Sequence, residues 1–243
     1  MENTMTILFT ALLPIAILGF YIYRKDKNFP EPIGQLLKAF FIGVLAAPLS
    51  LCISTPLESL GLYTMEPASI LGAISTSFFG AAIPEEIAKF ILLWLVLRKN
   101  RFFDEKMDGI VYAVCISLGF AALENIMYLF SNVESYLSVG ISRAIFAVPG
   151  HFCFGILMGY YYSLAKFYPK TPKKNKALIL VAPIIVHGLS DSILFITDVT
   201  PAISGILLIV FLVFCHKMWR YGSNRIKELI LRDSTENIEM TEL

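Results

Sequence analysis

Seven apolar stretches, each about as long as a bilayer is thick, dominate this chain: about 5–23, 33–55, 70–97, 108–131, 140–166, 177–197 and 201–218. An α-helix rises about 1.5 Å per residue and needs roughly 20 apolar residues to cross a membrane. Seven such runs within 243 residues leave room for little besides a helical membrane bundle. Only 16% of the residues are charged, against roughly a quarter in soluble domains. The expected fold is all-α and polytopic: a membrane-embedded domain over 1–218 and a cytoplasmic tail over 219–243. The tail's amphipathic start, SNRIKELILRD, predicts a short helix that frays into disorder.

The loops set the expected orientation. Arg24, Lys25 and Lys27 follow the first span; Arg98, Lys99, Arg101 and Lys106 separate the third from the fourth; Lys170, Lys173, Lys174 and Lys176 separate the fifth from the sixth; Lys217, Arg220, Arg225 and Lys227 follow the seventh. The loops 56–69, 132–139 and 198–200 hold no Lys or Arg. By the positive-inside rule, seven spans with the N-terminus outside put every basic loop in the cytoplasm of a multi-pass cell-membrane protein. The first stretch lacks a basic start and a clear cleavage site, so it reads as a span and not a secretory signal. A net charge of +1 gives no field for nucleic acid. Cys52, Cys115, Cys153 and Cys215 lie in apolar runs at spacings that suit neither a zinc knuckle nor a disulfide framework, so they are expected to pack.

The ionisable residues left at membrane depth are few. They are Glu85, Glu86 and Lys89 on the third span, Glu124 on the fourth, His151 with Arg143 on the fifth, and His187 with Asp191 on the sixth. Counted from the cytoplasmic helix ends, Glu85 lies at roughly 18 Å, Glu124 at about 24 Å, His151 at about 22 Å and His187 at about 15 Å. A charge at the bilayer centre costs at least about 2.5–3.5 kcal/mol, so such groups turn inward and pair. One polar cavity, opening outward, is the expected result. Glu85 and Lys89 share a face at i, i+4, and Glu86 reaches the same lysine at i, i+3. His187 and Asp191 repeat the i, i+4 spacing, as do Glu124 and Tyr128, with Asn125 adjacent. Pro84 and Pro149 stand beside the acids and beside His151, where each loosens the helix. Gly155 and Gly159 form a GxxxG suited to close helix packing.

Carboxylates beside histidines suit hydrolysis: a glutamate takes a proton from water, and a histidine shares it or holds the oxyanion. No cofactor signature is present in the sequence, and a metal-independent site is expected. Three rivals stand beside this reading. Zinc on Glu85, His151 and His187 would make a metalloprotease. A proton-coupled transporter would use the same residue types as a relay. A receptor or scaffold would need the acids only for stability.

In order along the chain, PEEIAKF, GFAALENIMY, RAIFAVPGHFCFGILMGY and HGLSD resemble the four signature blocks of the PrsW-type glutamic intramembrane proteases, within the CAAX-protease/Abi superfamily. The resemblance covers roughly 80–192. It implies an endopeptidase that cuts a single-span membrane protein near the outer face, an anti-sigma factor in the best known members. It implies water activation by Glu85 and Glu86, with His151 across the cleft. His187 and Asp191 would orient the substrate carbonyl or stabilise the oxyanion, or Asp191 would orient His187. Lys89, Glu124, Asn125 and Arg143 match family positions in supporting places. The CAAX side of the superfamily has Arg and Asn where this chain has Lys89 and Asp191, which moves it toward the PrsW side.

Overall fold

The structure, a computed structural model, describes residues 2–27, 29–168 and 172–241; Lys170 of the fifth-to-sixth loop lies outside them. Ten α-helices carry the described chain: α1 (Glu2–Lys25), α2 (Ile33–Val44), α3 (Ala46–Ser59), α4 (Ile70–Ser75), α5 (Ile83–Leu97), α6 (Lys106–Ser131), α7 (Tyr136–Ile145), α8 (Ala147–Phe167), α9 (Pro172–Val199) and α10 (Ser204–Thr241). No strand occurs among the described residues.

The seven expected spans are all helical. Among the described residues, six helical stretches are long and apolar enough to cross a membrane: 4–25, 33–59, 106–131, 133–167, 173–199 and 201–235. The expected third span is also a continuous helical run, from α4 through a π segment, Thr76–Ala82, into α5. Large apolar side chains such as Phe9, Phe41, Leu71 and Ile209 face outward around the bundle, a surface that suits lipid and not water.

The breaks have local causes. Proline lacks an N–H, and its ring collides with the carbonyl four residues back. Pro48 stands three residues after the break at Leu45 that divides α2 from α3, and Pro149 stands three after the break at Phe146 that divides α7 from α8. Pro84 follows the π segment, where Ile83 N–H bonds back to the Phe78 carbonyl, one residue beyond the α-helical partner. Each proline thus removes one rung of the ladder, and the chain widens or turns there.

Helix α6 is the axis of the bundle. It is buried along most of its length and packs against α8, α2 and α1. The α6–α8 contact depends on glycine: a methyl group on Gly159 would fall 2.2 Å from the Gly109 carbonyl oxygen. Neither backbone can yield without parting the helices. Gly159→Ala is therefore expected to destabilise the protein by about 1–3 kcal/mol, seen as a lowered midpoint in thermal unfolding of purified protein in detergent; an unchanged midpoint would show that the helices separate freely.

Helix α10 runs on without interruption to Thr241, where a short fraying helix was expected. Its far end has a partner. Asp233 accepts hydrogen bonds from the Lys106 and Met107 N–H groups at 3.1 and 2.9 Å, and its Oδ1 lies 3.2 Å from Lys106 Nζ. A residue from the tail thus satisfies the first donors of α6, which a helix N-terminus otherwise leaves unpaired. The four cysteines are free.

Candidate active site

The charges that the sequence puts at membrane depth meet in one hydrogen-bonded chain. Lys89, 1% exposed, is its hub. Its Nζ lies 2.7 Å from Glu86 Oε1, 3.5 Å from Glu85 Oε2 and 3.2 Å from His151 Nδ1. The ammonium also sits 4.1 Å from the centre of the Phe120 ring, whose negative face favours it. The i, i+3 and i, i+4 spacings of α5 bring both acids to one cation, and α8 adds the imidazole from another helix.

On one side the chain continues through His151. Its Nε2 lies 2.8 Å from Glu124 Oε2 on α6, which also accepts from Arg143 Nη2 at 2.6 Å. An ammonium can only donate, so His151 Nδ1 must accept, and Nε2 carries the proton toward Glu124. The neighbours thereby fix the tautomer. Arg143, on the last turn of α7, also donates from Nε to Asn125 Oδ1 at 2.6 Å and lies 4.0 Å from the Tyr128 ring. Asn125 in turn donates to the Ala11 carbonyl on α1. The break at Phe146 lets α7 lean over the site and deliver this arginine.

On the other side stands His187 of α9. Its Nδ1 is 2.9 Å from Glu86 Oε1; its Nε2 is 3.3 Å from Asp191 Oδ2 and 3.9 Å from Glu85 Oε2. The two imidazoles stand perpendicular, 5.5 Å apart. Phe154 stacks on His187 at 4.5 Å and meets His151 edge-on. Phe154 and Phe120 escaped the sequence reading, although Phe154 is i+3 from His151 on the same face. All nine candidate residues belong to this one network: Glu85, Glu86, Lys89, Glu124, Asn125, Arg143, His151, His187 and Asp191.

The network borders a cavity of about 390 Å³, lined by Glu85, Glu124, Arg143, His151, His187 and Asp191 and walled by Phe146, Phe154, Phe195 and Phe211. Tyr128, Ser142, Leu194 and Leu208 continue its lining toward the helix ends opposite the basic loops. The two neighbouring glutamates differ in access. Glu85 keeps 14% of its side chain exposed, whereas Glu86 is fully sealed and its Oε2 has no hydrogen-bond partner among the described residues.

Glu85, Glu86 and His187 each offer a ligand atom within 4.8 Å of the others. Number, donor type and the unpartnered Glu86 oxygen fit a divalent metal; the Lys89 ammonium 2.7 Å from Glu86 competes for the same charge. His151, grouped with Glu85 and His187 in the rival zinc reading, instead has its two nitrogens on Glu124 and Lys89, and Glu86 takes its place in the converging set.

Among known proteins, the family described as PrsW family intramembrane metalloprotease matches residues 31–216. The chain is 37% identical to a protease PrsW of Clostridioides difficile over 221 residues, covering 90% of this chain and 89% of the relative. It is 33% identical to one from Oceanobacillus iheyensis (91% and 99% covered) and 34% identical to one from Bacillus subtilis (88% and 90% covered). No solved structure matches. A multi-pass bundle with a buried acid–histidine network, matched by this family over most of its length, is a membrane-embedded peptidase: the chain belongs to the PrsW family of intramembrane proteases.

Proposed function

We propose that this protein cleaves a single-span membrane protein with a water activated by Glu85, and that no metal takes part. The observation that carries this reading is the unequal pair: Glu85 reaches the cavity, while Glu86 is sealed behind it on Lys89 and His187. A general base must touch the water it deprotonates, which selects Glu85. Glu86 then holds Lys89 and His187 in place.

In this reading, the water lies in the cavity against Glu85. As it attacks the peptide carbonyl, Glu85 takes its proton and negative charge grows on the carbonyl oxygen. Arg143 borders the same cavity and supplies an N–H donor toward that charge, while His187, held between Glu86 and Asp191, lines the cavity beside it. Asp191, 3.3 Å from His187, orients the ring. Glu124 holds His151 and Arg143 together. Collapse of the tetrahedral intermediate passes the proton from Glu85 to the leaving amine and frees both peptide ends.

The basic loops support an N-terminus outside, and the cavity extends toward the opposite ends of the helices, so the cut falls near the extracytoplasmic face. By family resemblance, an anti-sigma factor is the proposed substrate. Comparing membrane proteomes of cells with and without the protein should reveal a trimmed single-span protein; a proteome in which no such protein shortens would overturn the reading.

A second reading follows from the Glu85, Glu86 and His187 cluster and from the family's description as metalloproteases. A metal held by these three side chains would lower the pKa of a bound water. Purified protein cleaving its substrate in liposomes is expected to keep its rate, within twofold, after treatment with a zinc chelator, and to contain no stoichiometric zinc by elemental analysis. Loss of cleavage with the chelator and recovery with zinc would establish the second reading instead.

A further inference from the structure

Far from the cavity, at the end of the bundle that carries the basic loops, lies a second set of acids. Glu31, from the loop between α1 and α2, meets Asp104, from the loop between α5 and α6, and Asp108, in the first turn of α6; ligand oxygens of all three lie within 4.8 Å of one another. Glu31 is 6% and Asp108 1% exposed, whereas Asp104 is open to solvent. Asp26, 4% exposed, adjoins them and accepts from the Glu31 N–H at 3.3 Å.

Two segments distant in sequence do not bring three carboxylates together without compensation, because each buried charge is costly and like charges repel. Part of the compensation is visible. The Tyr112 hydroxyl donates to Glu31 Oε2 at 2.5 Å. Asp108 Oδ2 accepts from the Asp104 and Glu105 N–H groups at 3.1 and 2.7 Å. The remainder is unmet among the described residues: Asp108 Oδ1 is buried and accepts from no N–H donor, and its carboxyl faces that of Glu31. Of the nearby ammonium groups, Lys106 pairs with Asp233, and Lys166, bonded to the Phe103 carbonyl, offsets only part of the charge of Asp104 and Asp108.

We infer that Glu31, Asp104 and Asp108 bind one hard divalent cation, of the Mg²⁺ and Mn²⁺ class, on the basic-loop side of the bundle. The donor set selects that class, because carboxylate oxygens suit Mg²⁺ and Mn²⁺ better than softer metals. Asp104, open to solvent, leaves a side on which the ion keeps several of its waters, as Mg²⁺ requires. The cation neutralises the buried pair and supplies a partner for Asp108 Oδ1. It joins the loop after α1 and the loop after α5 to the head of α6, the helix that carries Glu124 about 24 Å further on. Its role is to clamp the base of the catalytic helices, and it holds whether or not the active site uses a metal.

The test uses full-length protein in detergent, stripped with EDTA and titrated with Mn²⁺ at neutral pH, with free Mn²⁺ followed by electron paramagnetic resonance. One Mn²⁺ bound per chain, displaced by excess Mg²⁺, is expected. Asp104→Asn and Asp108→Asn should each weaken binding at least tenfold; Asp104 is exposed, so its variant keeps the fold even if the buried one does not. His187→Ala, which alters only the active-site cluster, should leave this binding within twofold of wild type. The inference is overturned if the wild type takes up no Mn²⁺, if Asp104→Asn binds as tightly as wild type, or if His187→Ala alone abolishes the uptake.

Discussion

Glu85→Gln is expected to lower the cleavage rate of a membrane-anchored substrate in liposomes by a factor of about 10²–10⁴, the range that general-base catalysis supplies. The amide keeps the size of the carboxylate and can still face Lys89, but it cannot accept the proton of an attacking water. The fold should survive, because Glu86 and His151 remain on the lysine at 2.7 and 3.2 Å. Two measurements decide the matter: cleavage rate and thermal midpoint on the same preparation. A rate near wild type would remove Glu85 from the chemistry. A large fall in midpoint would turn the loss of rate into a folding effect and return the base to open question.

Lys89→Met has the opposite profile and the largest expected effect on stability. The ammonium faces two carboxylates and one imidazole from within the bundle. Removing one partner of a buried ion pair typically costs about 3–5 kcal/mol, because it leaves the other charge uncompensated. Glu86, fully sealed and already lacking a partner for Oε2, has no solvent to turn to. The variant should therefore melt well below wild type and be inactive. Combining it with Glu86→Gln, which removes the stranded charge, should recover much of the midpoint without activity. If Lys89→Met alone unfolds no earlier than wild type, the lysine is not the keystone of the network.

The spans and the membership of the buried polar network were legible in the sequence for one physical reason. A bilayer penalises charge so heavily that the few ionisable residues at depth, Glu85, Glu124, His151 and His187 among them, can be identified by counting residues from the helix ends. Their pairing was less legible. Nothing local tells that His151 faces Glu124, 27 residues away on another helix, or that Arg143 would swing across the break at Phe146 to meet both Glu124 and Asn125. Those contacts depend on helix rotation, which apolar runs buried on every side leave undefined, as in α6. The acids at the other end were hidden by their setting: Glu31 and Asp104 sit in polar stretches between spans and Asp108 at the first turn of one, where a carboxylate normally faces water. The reach of α10 was hidden too, since its last turns are polar and gain partners only in the folded bundle, Asp233 at the head of α6 among them.

The wide turn at Thr76–Ala82 has a consequence for redesign. One surplus residue in a helix rotates everything before it by about 100° relative to everything after. That offset lets a single membrane crossing present Phe78 to Gly188 on α9, where a methyl group would fall 2.5 Å from the ring, and still direct Glu85 into the cavity. Straightening the stretch by deleting one amino acid would keep its hydropathy and composition, yet it would turn one half of the crossing away from its neighbours.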